Sequence, residues 1–264
     1  MVFTSWLLCD FHIHTTISDG SFSLKDVVDL YGQKGFDVIA ITDHIFDNYY
    51  LGKLKERGTK IPSILPENFK EYIRLLKKEQ YRAWKEYGML LIPGFEVTNN
   101  TNRYHILALD VYEYIEPTLS VEEILEIIKH NNGISIAAHP EKKDTDREHL
   151  SQHLYENMDK YKDMFDAWEI ANQVDLFNSV ATKGCRFVAN SDFHHINHFY
   201  AWRTMLKTKK DIEAVKEAIK TNEDIAIIFL KPGIEPKKFK ETFKEKGVLQ
   251  RKKVATKDTF KSFF

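Results

Sequence analysis

Short apolar runs alternate along this chain with longer stretches of helical period. The runs are Trp6–Ile13, Asp37–Ile41, Met89–Val97, Tyr104–Val111, Ile134–Ala138, Ala167–Ala171, Phe187–Asn190 and Ile225–Phe229. Their brevity and apolar content predict buried strands. Between them, Leu24–Lys34 opens after Ser23 as N-cap and gathers Val27, Val28, Leu30 and Tyr31 on one face. Pro66–Tyr87 is long and amphipathic, Val121–Asn131 follows Ser120 and ends at Gly133, and Asp211–Thr221 is the last regular helix. Strands alternating with helices predict parallel βαβ units. Residues 45–66 break the rhythm with Asn48, Gly52, Gly58, Pro62 and Pro66. So long an insert after a strand is expected to form a lid or rim.

Composition narrows the class. The 264 residues fit one large α/β domain, and 43% hydrophobic content is enough for a sizeable core. A net charge of −1 gives no reason to expect polyanion binding by the chain as a whole. From Lys231 to Phe264, however, 11 Lys/Arg stand against 4 Asp/Glu, a net of +7 that leaves −8 for the first 230 residues. Phe239, Phe243, Phe260, Phe263 and Phe264 are interleaved with those lysines. This tail reads as an amphipathic appendage that docks on the main domain or on a second subunit, with RNA contact as the alternative. Cys9 and Cys185 sit in apolar runs and read as buried free thiols of a reducing compartment. The N-terminus has no basic, then apolar, leader and no 18-residue apolar span exists, so a soluble cytoplasmic protein without membrane contact is expected.

The candidate chemistry lies where apolar strands meet loops. His12 and His14 end the first strand with Asp19 on the loop after it, and residues two apart on a strand point the same way. Thr42-Asp43-His44 ends the second, Gly94-Phe95-Glu96 the third and Ala138-His139-Pro140 the fifth; Ser191-Asp192-Phe193-His194 follows the seventh. His105 is the exception, at the start of its strand. In parallel α/β barrels the C-terminal strand ends share one face, so these groups should converge. Six imidazoles and three carboxylates cannot be buried together unpaired at acceptable cost. Cations resolve this, and nine ligands imply two or three ions, of Mn, Zn or Fe type. Close metal ions make a nucleophile from water and stabilise attacking and leaving oxygens, which is hydrolytic chemistry. His130, His149, His153 and His198 read as ordinary surface or core residues, and His195 is adjacent to a ligand candidate but aimed elsewhere.

These motifs, in this order, resemble the PHP (polymerase and histidinol phosphatase) family of metal-dependent phosphoesterases. The resemblance rests on His12-Ile13-His14, Ser18-Asp19-Gly20, Thr42-Asp43-His44, Pro93-Gly94-Phe95-Glu96, His105, Ala138-His139-Pro140 and Ser191-Asp192-Phe193-His194, spanning about residues 5–205. It implies a distorted (β/α)7 TIM-like barrel over residues 1–230 with a helical insertion at about 45–88, followed by the 231–264 extension. It also implies a trinuclear site on the C-terminal face. His12, His14, Glu96 and Asp192 would hold one ion, Glu96, His105 and His139 a second, and Asp19, His44 and His194 a third. Asp19, Glu96 and His194 are the candidates for direct catalytic roles.

The activity so implied is attack of a metal-activated hydroxide on a phosphate ester. The substrate would be a small phosphomonoester of histidinol-phosphate type, or a nucleotide or short oligonucleotide. Arg103, Lys142, Lys143 and Arg203 are the candidate phosphate contacts, and Tyr49, Tyr50 and Tyr72 could stack on a ring. Two alternatives come from other classes. A C–N amidohydrolase also uses HxH on a barrel, although no carbamylated-lysine position is apparent. A non-catalytic metal-binding interaction module would keep the site for stability, and the full ligand set speaks against it.

Overall fold

The structure is a computed structural model that describes residues 5–58, 62–143 and 149–233. The Phe-rich tail, and any oligomer contact through it, lies outside the described residues. The chain opens with β1 (Ser5–Asp10), α1 (Leu24–Gln33), β2 (Val38–Ile41) and the short β3 (His44–Phe46). Helices α2 (Asn48–Glu56) and α3 (Phe69–Tyr87) lead to β4 (Leu90–Asn99), β5 (Tyr104–Leu109), α4 (Val121–His130) and β6 (Ile134–Ala137). Two short helices, α5 (Gln152–Glu156) and α6 (Met158–Tyr161), precede β7 (Ala167–Asn172), β8 (Asp175–Leu176), α7 (Asn178–Thr182) and β9 (Phe187–Asn190). The chain then runs through β10 (Trp202–Thr208), α8 (Ile212–Thr221) and β11 (Ile225–Phe229).

The helices form where their caps and apolar faces say they should. Ser23 Oγ accepts from Asp26 N at the head of α1, which buries Leu24, Val27, Val28 and Tyr31. Ser120 and Glu123 cap each other's backbone ahead of α4, and Asp211 caps α8. Helix α3 begins at Phe69 rather than Pro66, because Asn68 Oδ1 accepts from Leu65 N at 2.8 Å and holds a turn there. It ends at Gly88 with φ 59°, a left-handed stop that glycine takes without strain. This helix is the crossover between the parallel strands β2 and β4, and Gln80 ties it to Leu91 O at 2.9 Å. The insertion expected at about 45–88 is thereby cut back, since only α2, which buries no side chain, and the turn after it stand apart as a rim.

The strands form one curled mixed sheet in the order β11-β10-β1-β2-β4-β5-β6-β7-β8, with β3 on β4 and β9 on β7. Parallel pairs join β1 to β2, β2 to β4, β6 to β7 and β7 to β9. The expectation of parallel units throughout is corrected at β5 and β10, which run antiparallel to both neighbours. The β4–β5 connection is too short for a crossover, so only a hairpin can form. Strand β10 has no counterpart among the predicted runs, since Arg203, Thr204, Lys207 and Thr208 dilute its apolar pattern.

Alternate residues of each strand go to opposite faces, and both faces are buried. Leu8, Ile39 and Ile41 join the cluster shared with α1, α3 and α4, whereas Leu7, Cys9, Val38 and Ala40 join the other with Val215 and Ile219 of α8. Both cysteines are buried, and neither forms a disulfide among the described residues. The curl brings the segment after β9 against the segment after β1: His14 N donates to Phe193 O at 2.9 Å and Phe193 N to His12 O at 3.1 Å.

Candidate metal centre

That closure sets the site. Just beyond β1, residues 12–14 lie between the segments after β2 and β9, with Thr42 N donating to Ile13 O at 2.8 Å. The next segment is held in turn, as Glu96 N donates to Asp43 O at 3.1 Å. His105 belongs to the same rim because β5 is antiparallel, so its start lies beside the ends of its neighbours; His105 pairs with Thr98. The exception in the sequence thus has a topological cause.

Glu96 is the hub. Its Oε2 lies 3.3 Å from His12 Nε2, 3.4 Å from His14 Nε2 and 3.0 Å from His44 Nδ1. Its Oε1 lies 3.0 Å from His105 Nδ1 and 3.5 Å from His139 Nε2. Asp192 Oδ1 stands 3.4 Å from each of His12 Nε2, His14 Nε2 and His194 Nδ1. Asp19 Oδ1 lies 3.2 Å from His194 Nε2, 3.6 Å from His44 Nε2 and 3.8 Å from His14 Nδ1. All nine expected side chains are therefore in one cluster, and all but Asp19 and His194 are buried. Three subsets have donor atoms within 4.8 Å of one another: His14, Asp19, His44 and His194; His12, Glu96 and His139; His12, His14 and Asp192.

Burial and charge set the protonation of the cluster. Burial disfavours the His12 imidazolium, but Glu169, Asp192 and Glu96 outweigh it and raise its pKa well above the usual imidazole value. His44 moves the same way, against burial, through Glu96 and Asp19. His194 is pushed up to about 9 by Asp192 and Asp19 despite burial. Burial brings His105 down to about 4, and burial with the neighbouring His194 and His44 depresses His14. Glu96 stays well below the carboxylate range, the surrounding imidazoles overcoming burial.

The donor set fits divalent cations. Both ring nitrogens of His14, and Nδ1 of His139, are buried without a hydrogen-bond partner among the described residues. An unpartnered buried polar atom costs roughly 1–3 kcal/mol. Nitrogen and carboxylate donors without cysteine suit Zn, Mn or Fe. Backbone strain marks the same place: His139 (φ 29°) and Asp192 (φ 49°) hold left-handed conformations that non-glycine residues keep only where their surroundings enforce them.

The loop carrying Asp19 is built by Asp43. Its carboxylate accepts from Thr15 N at 2.7 Å, Ser18 N at 3.2 Å, Ser18 Oγ at 2.7 Å and Thr15 Oγ1 at 2.9 Å. Gly20 closes that loop, where a Cβ would lie 2.5 Å from His14 O.

The phosphate candidates separate. Arg203 is corrected: it is wholly buried, its guanidinium lies over Phe36 and Phe199, Nε is 3.2 Å from Asp10 Oδ2 and Nη2 donates to Phe199 O. Lys142 is in the cluster, with Nζ 2.6 Å from Asp192 Oδ2 and 3.2 Å from Asn172 Oδ1. Arg103 sits in the β4–β5 turn, donating from Nη1 to His149 O at 3.3 Å, and Lys143 is exposed. Of the tyrosines, Tyr72 is core, donating to Gly94 O, and Tyr49 is exposed. Tyr50 reaches the site through Phe46, whose ring stacks on His44 at 4.3 Å and contacts Tyr50 at 5.4 Å. His198 is nearer the chemistry than an ordinary surface residue, since His194 N donates to its Nδ1 at 3.3 Å.

Glu169 was not among the expected residues. It is wholly buried at the floor of the cluster, 2.9 Å from His12 Nδ1. The signal for it was a lone acid inside the apolar run Ala167–Ala171.

The sequence profile described as "PHP domain" matches residues 10–227. The chain belongs to the PHP domain family. Two curated relatives each align with half of the chain. One is DNA polymerase/3'-5' exonuclease PolX of Bacillus subtilis, 24% identical over 140 residues, of which the match covers 23%. The other is an uncharacterised protein of Methanocaldococcus jannaschii, 28% identical over 142 residues and covered to 66%. Among solved structures, a two-domain protein from Bacteroides vulgatus, described as containing a predicted PHP-like metal-dependent phosphoesterase, superposes with a TM-score of 0.60 at 20% identity. That likeness covers 86% of this PHP chain and 66% of the other, and it concerns the fold. Among the described residues no helix is long and apolar enough to cross a membrane.

Proposed function

We propose that this PHP chain is a metal-dependent phosphoesterase that hydrolyses a phosphate ester at a trinuclear site. The observation that carries this reading is Glu96, one buried carboxylate within 3.5 Å of five imidazoles. A carboxylate so placed suits a bridge between two ions. His12, His14, Glu96 and Asp192 would hold the first ion, Glu96, His105 and His139 the second, and Asp19, His44 and His194 the third, Mn, Zn or Fe in each. Bound divalent ions supply an activated water and neutralise charge developing on phosphoryl oxygens.

The chain's own residues do the rest. Lys142, beside Asp192, offers a cation to the substrate phosphate, and Arg103 stands as a second one on the same rim. The aromatic edge of Phe46 and Tyr50 lines the His44 side of the site. The substrate is a small phosphomonoester or a nucleotide or short oligonucleotide. Strands β1, β2, β4, β5, β6, β7 and β9 lie between the segments that close the sheet, which supports the distorted seven-stranded barrel over residues 1–230. Hydrolysis assays of a phosphomonoester and a phosphodiester after reconstitution with Mn, Zn or Fe test the function. Metal-stimulated turnover of either is expected, and no turnover of both by protein that binds the ions would overturn it.

A further inference from the structure

We infer that Glu169 is a positioning residue that fixes the tautomer of His12 and the backbone of His139, and thereby aims both rings at the cluster. The inference rests on the metal-binding reading above. It comes from counting donors and acceptors around one buried carboxylate.

Oε1 of Glu169 lies 2.9 Å from His12 Nδ1 and accepts from Asn190 Nδ2 at 2.9 Å. Oε2 accepts from His139 N at 2.8 Å and from Asn172 Nδ2 at 2.7 Å. The two amides cannot turn round. Asn190 Oδ1 is held by Phe11 N at 2.9 Å, and Asn172 Oδ1 by Lys142 Nζ at 3.2 Å. The His139 donor is backbone. Three of the four neighbours are therefore fixed donors, and only a group with no hydrogen of its own, a carboxylate, satisfies them.

His12 Nδ1 must then carry a proton as the fourth donor. Once His12 carries that single proton, its Nε2, which faces Glu96 at 3.3 Å and Asp192 at 3.4 Å, offers the lone pair that a metal ligand needs. The bond to His139 N also restrains a residue whose φ of 29° is otherwise disfavoured. One carboxylate thus organises ligands from two segments more than a hundred residues apart. Carboxylates behind ligating histidines commonly act in this way.

Glu169→Gln tests this, because its amide must turn a hydrogen toward a fixed donor or toward His12 Nδ1. Zinc titration of wild type and variant should show the two ions served by His12 and by His139 bound roughly 10–100-fold more weakly. The third ion, held by Asp19, His44 and His194, should keep its affinity, and Glu169→Asp, which keeps the charge, should lose less than Glu169→Gln. Unchanged affinity in Glu169→Gln, or equal weakening of every ion, would overturn the assignment. Where the variant does not fold, nitrogen NMR of the zinc-loaded wild type decides: coordination through His12 Nε2 with a proton on Nδ1 supports it, and coordination through Nδ1 overturns it. Wild type that binds no zinc would count against the metal-dependent reading itself.

Discussion

Removing the guanidinium of Arg203 would strand Asp10, which also accepts from Tyr31 OH at 2.8 Å, Ser191 N at 3.0 Å and Ser191 Oγ at 2.6 Å. Breaking a buried ion pair by deleting one partner costs about 3–5 kcal/mol. Arg203→Ala should therefore lower unfolding free energy by about that amount in denaturant titration. Protonation gives a second test. His12, His44 and His194 hold protons above the usual imidazole range without metal, His194 up to about 9. Ligation requires their release, so metal affinity should rise with pH toward about 9. Zinc binding at pH 7, followed by calorimetry in buffers of different ionisation enthalpy, should show net proton release. The nine cluster residues are legible because each sits at the border of an apolar run or, like Asp19, on the loop just after one. Arg203 misled because it occupies the same kind of border, and only its depth shows that its charge is spent on Asp10.

At the scale of elements, Asp47 joins the rim to the sheet. It caps α2 by accepting from Tyr50 N at 2.8 Å, and takes Asn100 N and Thr101 Oγ1, each at 2.8 Å, from the β4–β5 turn. Asp47→Ala should cost about 1–2 kcal/mol. Hydrogen exchange should quicken in both α2 and residues 99–103, whereas a purely local cap would affect α2 alone. Most strands, the helical period of α3 and the caps of α1, α4 and α8 are readable from period and capping chemistry, whereas the place of α3 as the β2–β4 crossover, rather than as part of an insertion, is not. Strand direction is not either, because an apolar run looks the same whichever way it pairs. That is why His105 stands as an exception in the sequence although β5 is antiparallel, and why Glu169, inside a strand rather than at its end, does not stand out there.

Across the whole molecule, the two ends of the site meet only because the curled sheet brings the segments after β1 and β9 together through Ile13 and Phe193. Ions bound across that closure would hold it shut. A metal at a hundred times its dissociation constant should stabilise the fold by about 2.7 kcal/mol, and chelation should lower the melting temperature accordingly. The most direct test of the central claim is the number of ions per chain and the rate of phosphate-ester hydrolysis, measured together on wild type and His14→Ala. Two or three ions and metal-stimulated turnover are predicted for the wild type, with an ion lost and the rate reduced by orders of magnitude in the variant. Undiminished ions and turnover in His14→Ala would contradict the account.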